Sequence, residues 1–245
     1  MPSSTNRSVP GLLARFFPVS NLIFLVVLGT FIVASPFLGS LRRGALINSA
    51  LLTLVLIAGV IVVGARRATL VPAALLVVVG LLARWVNYFH PEAMPPAVHL
   101  IAGMLLLGLV AVEFLRFILR APRVTAQVLQ AGISTYLVFG LLWTLAYMLV
   151  GQVDLDAFTF SGEAGGDHSM DSFNALYYSF VTLTTMGYGD IVPVSRVARM
   201  LAVSEATTGV LYVSILIARL VGMYSTVTPI QDEGNTNRTA SGPDR

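Results

Sequence analysis

The sequence predicts an all-α membrane protein of six transmembrane helices, with a short re-entrant helix between the fifth and the sixth. Three observations carry this. Hydrophobic residues make up 56% of the chain and charged residues 11%, against about 25% charged in soluble domains. Six stretches, roughly 19–38, 45–64, 70–89, 97–119, 127–150 and 197–224, each reach the about 20 mostly apolar residues that span a bilayer. The run 173–184 between the last two is only about half a bilayer long as a helix, so it enters and cannot cross.

The first stretch is too long for a cleaved secretory signal, and no small-residue cleavage pattern precedes Pro36. Ahead of it, the short apolar run 11–17 carries Arg15 and predicts either an interfacial segment or a frayed tail. Arg42-Arg43 and Arg66-Arg67, with Pro91, Pro95, Pro96 and Pro122, punctuate the connections between stretches. The fourth stretch has no basic residue from Val98 to Val112; Arg116, Arg120 and Arg123 come only at its far end. Glu113 is spaced to pair with Arg116 or, a turn further, Arg120. Arg84 stands alone in the third stretch. Between the fifth stretch and the re-entrant run lie Asp154, Asp156, Glu163, Asp167 and Asp171, a cluster that would raise local cation concentration. Asp154-x-Asp156 lacks the third ligand and the glycine of a calcium loop. Residues 231–245 are polar and predict disorder, with no soluble ligand domain behind the last helix.

Arginine sets the orientation. With the N-terminus cytoplasmic, the inner side carries Arg7, Arg15, Arg66, Arg67, Arg116, Arg120, Arg123, Arg219, Arg238 and Arg245, and the outer side Arg42, Arg43, Arg196 and Arg199. That bias predicts both termini inside. Asn6-Arg7-Ser8 and Asn237-Arg238-Thr239 match the glycosylation pattern by chance, since both fall on those inner tails.

Several function classes drop out. Cysteine is absent, so there is no disulfide, thiol chemistry or Cys-based metal site. His90, His99 and His168 form no ligand pattern, and there is no phosphate loop, nucleotide-binding glycine run or zinc-protease motif. The net charge of +3 is arginine over acid, with no lysine; in so apolar a chain it marks membrane orientation and not a nucleic-acid surface. The chain is predicted to be no enzyme and to use no cofactor. Lysine-free, Ala/Val/Leu-rich usage points to a bacterial inner membrane.

The decisive segment is Thr184-Thr185-Met186-Gly187-Tyr188-Gly189-Asp190, preceded by the aromatic-rich run from Leu176 to Leu183. It resembles the pore loop and selectivity filter of the potassium channel family, whose signature is Thr-Val-Gly-Tyr-Gly, with Met186 in place of the usual Val. The physics agrees: a dehydrated cation needs a ring of oxygens, and consecutive carbonyls supply one if glycines allow them to point the same way. The resemblance covers roughly 127–224 and implies a pore helix, N-capped by Asp171 or Ser172, and a filter between helices five and six. One motif per chain implies three further copies in a homotetramer, embedded in membrane lipid, with K+ as the permeant ion.

By the same resemblance, the ion-coordinating segment is Thr185, Met186, Gly187, Tyr188 and Gly189, through backbone carbonyls and the Thr185 hydroxyl. The Met186 side chain is expected behind the filter, where a flexible, polarizable residue holds it less stiffly than a β-branched one. Tyr177 is placed to hydrogen-bond Asp190, and Tyr178 or Thr182 to hold the Tyr188 hydroxyl. Gly209, nineteen residues after Asp190, is either a gating hinge or a close-packing point on the pore helix. Val210, Val213, Ser214 and Ile217 are expected to face the cavity. Glu205, an acid in an apolar helix, is expected to brace the filter from behind through Ser179 or Arg199. The domains implied are an N-terminal tail 1–18, a four-helix voltage-sensor-like domain 19–124 without a working sensor, a pore domain 125–228 and a tail 229–245. A membrane sensor or scaffold that keeps this fold without conducting is the alternative.

Overall fold

The computed structural model describes residues 13–38, 44–63, 67–89, 97–161 and 169–225. Among the described residues, seven helices run in the order α1 (Leu13–Leu38), α2 (Gly44–Val63), α3 (Arg67–Phe89), α4 (Ala97–Arg120), α5 (Ala126–Val153), α6 (Ser172–Leu183) and α7 (Arg196–Ser225). They follow the apolar stretches closely, except that α1 starts at Leu13, so most of the apolar run 11–17 is its first turn and a half. Among the described residues, α1, α4, α5 and α7 are long and apolar enough to cross a membrane, and α2 and α3 contribute the shorter apolar segments Ala50–Val60 and Val71–Ala83. The chain is a membrane protein.

Helices this apolar on every side are not sorted by amphipathicity, so contact geometry decides their neighbours. One continuous core joins Phe24 and Leu28 of α1, Val55 of α2, Val110 and Phe114 of α4, and Val138 and Leu141 of α5. The Phe24 and Phe114 rings meet at 5.4 Å. α2 and α3 lean on α4, α4 leans on α5, and α1 packs on α2 and directly on α5. A second core of Tyr147, Phe158, Ala175, Tyr178, Ile191 and Ala198 fills the other end of the pore region.

Caps fix where the pore elements begin. The Thr125 hydroxyl accepts from the Val128 amide at 3.4 Å to open α5. The Asp171 carboxylate accepts from the Asn174 amide at 2.8 Å to open α6. Asp154 closes α5, its own amide bonded to the Val150 carbonyl. Two acids of the sequence cluster thus cap helices, while Glu163, Asp167 and His168 lie outside the described residues, as do Arg42, Arg43, His90 and both glycosylation-like triplets.

The structure departs from an all-α reading at one place. β1 (Phe158–Phe160) pairs antiparallel with β2 (Ile191–Pro193), with Thr159 opposite Val192. The ribbon is extended by Ser161 N–H to the Asp190 carbonyl (2.7 Å) and Val194 N–H to the Ala157 carbonyl (2.8 Å). Three-residue strands are too short to show period-two alternation, and their pairing spans the whole re-entrant segment. The ribbon ties the chain entering α6 to the chain leaving the filter.

α6 seats on α5 where Gly140 leaves room for Phe180: a Cβ at 140 would lie 2.5 Å from the Phe180 ring. Gly140→Ala is expected to overpack this seat and lower thermal stability by about 1–3 kcal/mol. Gly29→Ala, where a new Cβ meets nothing within 4 Å, is the control that should leave the melting temperature of the detergent-solubilised protein unchanged or raised.

Candidate ion-conduction site

At 12 residues α6 is about 18 Å long and ends partway through a bilayer core of about 30 Å. Its last carbonyls catch the chain as it turns back. Thr185 N–H donates to the Thr182 carbonyl at 2.9 Å, and the Val181 carbonyl accepts from both Met186 N–H (2.9 Å) and Gly187 N–H (3.4 Å). The amides of the returning segment therefore hang from α6.

Every second residue of the returning segment takes positive φ: Thr185 at 59°, Gly187 at 55° and Gly189 at 80°. Alternating hand along the chain favours successive peptide planes turned to one side of a non-helical segment, whereas the carbonyls of a regular strand alternate. Glycine adopts this freely, and both glycines fall where it is needed. Thr185 does not. A β-branched residue held there stores about 1–3 kcal/mol, which its surroundings must supply. Among the described residues no group of three His, Asp or Glu could hold a metal ion.

The far end is tied by side chains. The Tyr177 hydroxyl donates to Asp190 Oδ2 at 2.7 Å. Its ring stacks on Tyr188 with centroids 6.5 Å apart and planes 10° from parallel. Tyr178 sits on another face of α6, buried against Tyr147 (4.8 Å) and Phe158 (5.5 Å). Successive helical residues point about 100° apart, so one of the pair faces the filter and the other the core. Within its own chain Tyr188 meets Tyr177 and not Tyr178. Thr182 contributes its carbonyl to the turn. Met186 and Tyr188 are 62% and 64% exposed in the single chain.

Behind α6, Glu205 is fully buried. Its Oε1 receives the Ser179 hydroxyl at 2.6 Å, and its Oε2 the Tyr147 hydroxyl at 2.5 Å. Of the two partners considered from sequence, Ser179 is present and Arg199 is not: its Nε donates instead to the Pro193 carbonyl at 3.2 Å. Six residues along a helix is about 240° around it, so Arg199 and Glu205 face different ways. At Gly209, α7 closes on the end of the pore helix; an added Cβ would run into the Leu183 carbonyl oxygen and lie 3.1 Å from Leu183 Cδ1. This is the close packing considered from sequence. Below the filter a hollow is lined by Thr185, Ala206, Thr207, Val210 and Leu211. Val213, Ser214 and Ile217 continue down α7, all exposed in the single chain.

Three residues at this site were not anticipated from sequence. Tyr147 is Glu205's second partner, and the Tyr212 hydroxyl donates to the Gly132 carbonyl at 2.7 Å, joining α7 to α5. Arg219 of α7 donates to the C-terminal carbonyls of α4 at Ile118 (3.0 Å) and Leu119, and to Ala121 (3.2 Å). The one available signal was a polar tip within an apolar helix, which the membrane makes costly to leave unpaired.

Residues 133–226 match the ion channel family. That span is α5 from its second turn, the re-entrant loop and α7. The chain is 37% identical over 93 residues to the two pore potassium channel c of Oryza sativa subsp. japonica, covering 37% of this chain and 19% of that protein. It is 32% identical over 87 residues to two-pore potassium channel 4 of Arabidopsis thaliana, covering 36% of this chain and 30% of that protein. It is 33% identical over 55 residues to a voltage-gated potassium channel of Aeropyrum pernix, covering 22% of this chain and 19% of that protein. The matches thus span less than a third of each of these relatives.

Tyr177→Phe removes the hydroxyl at Asp190 and almost no volume. Current through the variant is expected to decline during sustained opening, and raised external potassium to slow the decline, because bound ions favour the form that binds them. Macroscopic currents from wild type and variant at low and high potassium measure this; the same decay in all four conditions would reduce Tyr177 to packing.

Proposed function

We propose that four copies of this chain form a potassium-selective channel of a bacterial inner membrane, conducting passively and carrying out no chemistry. The observation that carries this reading is the alternation of left-handed φ at Thr185, Gly187 and Gly189 in a segment hung from the pore helix at Val181 and tied to it again at Tyr177. The ion channel match over the same residues and the potassium channel names of the relatives support it.

The tetramer rests on two points. One Gly-Tyr-Gly per chain provides a quarter of a closed ring of carbonyls. Met186, Tyr188 and, on α7, Val203, Val210, Leu211, Ile215, Ile217 and Val221 are at least half exposed, a surface that neighbouring copies would cover on both sides of the pore axis. Met186 then packs behind the filter against a neighbouring copy. Helix lengths of 20 residues for α2 and 23 for α3, about 30 Å or more each, support six spans in this reading, and the arginine bias supports cytoplasmic termini. Gly209 serves as the gating hinge in this reading, with Val210, Val213, Ser214 and Ile217 lining an apolar cavity that closes by dewetting.

The first four helices hold no working voltage sensor in this reading. A sensor carries a file of arginines through the field. Along α4 the first basic residue is Arg116, and its guanidinium is paired with Glu113 at 2.7 Å near the helix end.

Reversal potentials of the reconstituted protein in mixed potassium and sodium are expected near the potassium equilibrium value. Gly187→Ala should abolish selectivity or conduction through its backbone angle alone, since the new Cβ meets nothing within 4 Å in its own chain. A wild-type reversal near zero would overturn the assignment.

Open probability is expected to vary shallowly with voltage, far below the about 3–4 gating charges per subunit of true sensors. A steep sigmoid lost on neutralising Arg116 and Arg120 would restore a sensor to α4.

A further inference from the structure

Glu205 takes no part in ion coordination in the proposed function, yet it is the one acid of α7 and is fully buried. Its carboxyl gathers two other helices at a single point. Tyr147 comes from α5 and Ser179 from α6, both without solvent exposure. The contacts join residues 58 and 26 positions apart in the chain. The Ser179 oxygen also lies 2.7 Å from the Gly140 carbonyl, which receives the Thr144 hydroxyl at 2.8 Å. The face of α6 that carries Ser179 is therefore held by polar contacts to both the outer and the inner helix.

What α6 carries next is the filter. Two residues past Ser179, the Val181 carbonyl accepts the Met186 and Gly187 amides. Four residues past Glu205, one helical turn, Gly209 lets α7 close on Leu183 at the end of α6. Glu205 and the Gly209 contact thus bracket the stretch of pore helix from which the filter hangs.

We propose that Glu205 is a positioning residue for the filter: through Ser179 it registers pore helix α6 against inner helix α7, so that the state of α7 sets whether the filter holds its conducting form. Ser179 is the link that reaches the filter-bearing helix, and Tyr147 the link that anchors the carboxyl to α5. The proposal rests on the channel reading above and extends it from the filter itself to the residue that steers it.

The test uses the full chain reconstituted in liposomes and planar bilayers. It compares wild type with Ser179→Ala, Glu205→Leu and Glu205→Gln. Ser179→Ala deletes one oxygen and is the arm least prone to misfold. With the Ser179 link gone, current decline during sustained opening at low external potassium should become about three- to tenfold faster, the factor expected for one lost hydrogen bond. High external potassium should suppress the difference. Glu205→Leu should do the same where it assembles. Glu205→Gln keeps an acceptor for Tyr147 and a donor toward Ser179, so it should restore wild-type decline. A brace that only stabilises the fold would lower the melting temperature and channel number while leaving decline and the potassium-to-sodium permeability ratio untouched in Ser179→Ala. That outcome, or a faster decline indifferent to external potassium, overturns the proposal. Wild-type protein that fails to select potassium would instead sink the channel reading on which it rests.

Discussion

A segment of backbone that alternates in hand cannot hold itself, and everything around residues 184–190 follows from that constraint. Thr185, Gly187 and Gly189 all sit at positive φ, where neither helical nor strand hydrogen bonding is available to the chain. The segment has one set of internal donors, its amides, and two of these are spent on a single carbonyl, that of Val181. The conformation is thus borrowed from α6. Whatever fixes α6 fixes this segment, and whatever loosens α6 releases the strain stored at Thr185.

The pore region supplies that fixation in three different chemistries. On one face of α6, Phe180 drops into the gap left by Gly140, a shape contact. On a second face, Ser179 and Tyr147 converge on Glu205, a polar contact that a low-dielectric setting makes strong and makes costly to leave half-formed. On a third, Tyr177 holds Asp190, while the β1–β2 ribbon receives the chain just past it. The aromatic cluster of Tyr147, Phe158 and Tyr178 joins the last two of these, so the ribbon, α5 and α6 share one packed wall. Tyr147 belongs to both the wall and the Glu205 contact, which makes it the residue through which shape and polarity are coupled.

The first four helices connect to this assembly by packing and by a directed polar link. Their core reaches α5 through both α4 and α1. Arg219, near the end of α7, donates to carbonyls at the end of α4. Terminal helix carbonyls have no partner within the helix, and a cation there also meets the favourable end of the dipole. The inner helix is therefore fastened to the pore helix above and to α4 below, with Gly209 between the two attachments.

The sequence by itself determined the membrane class, the helix order, the re-entrant helix and the place of the loop, because apolar length and glycine spacing are properties of contiguous residues. It also narrowed the α6 cap to Asp171 or Ser172, and the family resemblance placed Tyr177 beside Asp190, since both pairs lie within a short stretch. Only the tertiary structure decided the rest. Tyr147 and Glu205 are 58 residues apart, Tyr212 and Gly132 are 80 apart, and Arg219 reaches back about 100 residues to α4. Helices apolar all round give no phase that says which face meets which neighbour. Tyr178, expected with Thr182 as a holder of the Tyr188 hydroxyl, is turned instead against Tyr147 and Phe158 by the packing of α6 on α5, and it is Tyr177 that stacks on Tyr188. Thr185 is the sharpest case. Its residue type argues for extended backbone, and its left-handed φ exists because the Val181 carbonyl holds the next two amides. A preference of one residue yields to a hydrogen-bonded frame built by the rest.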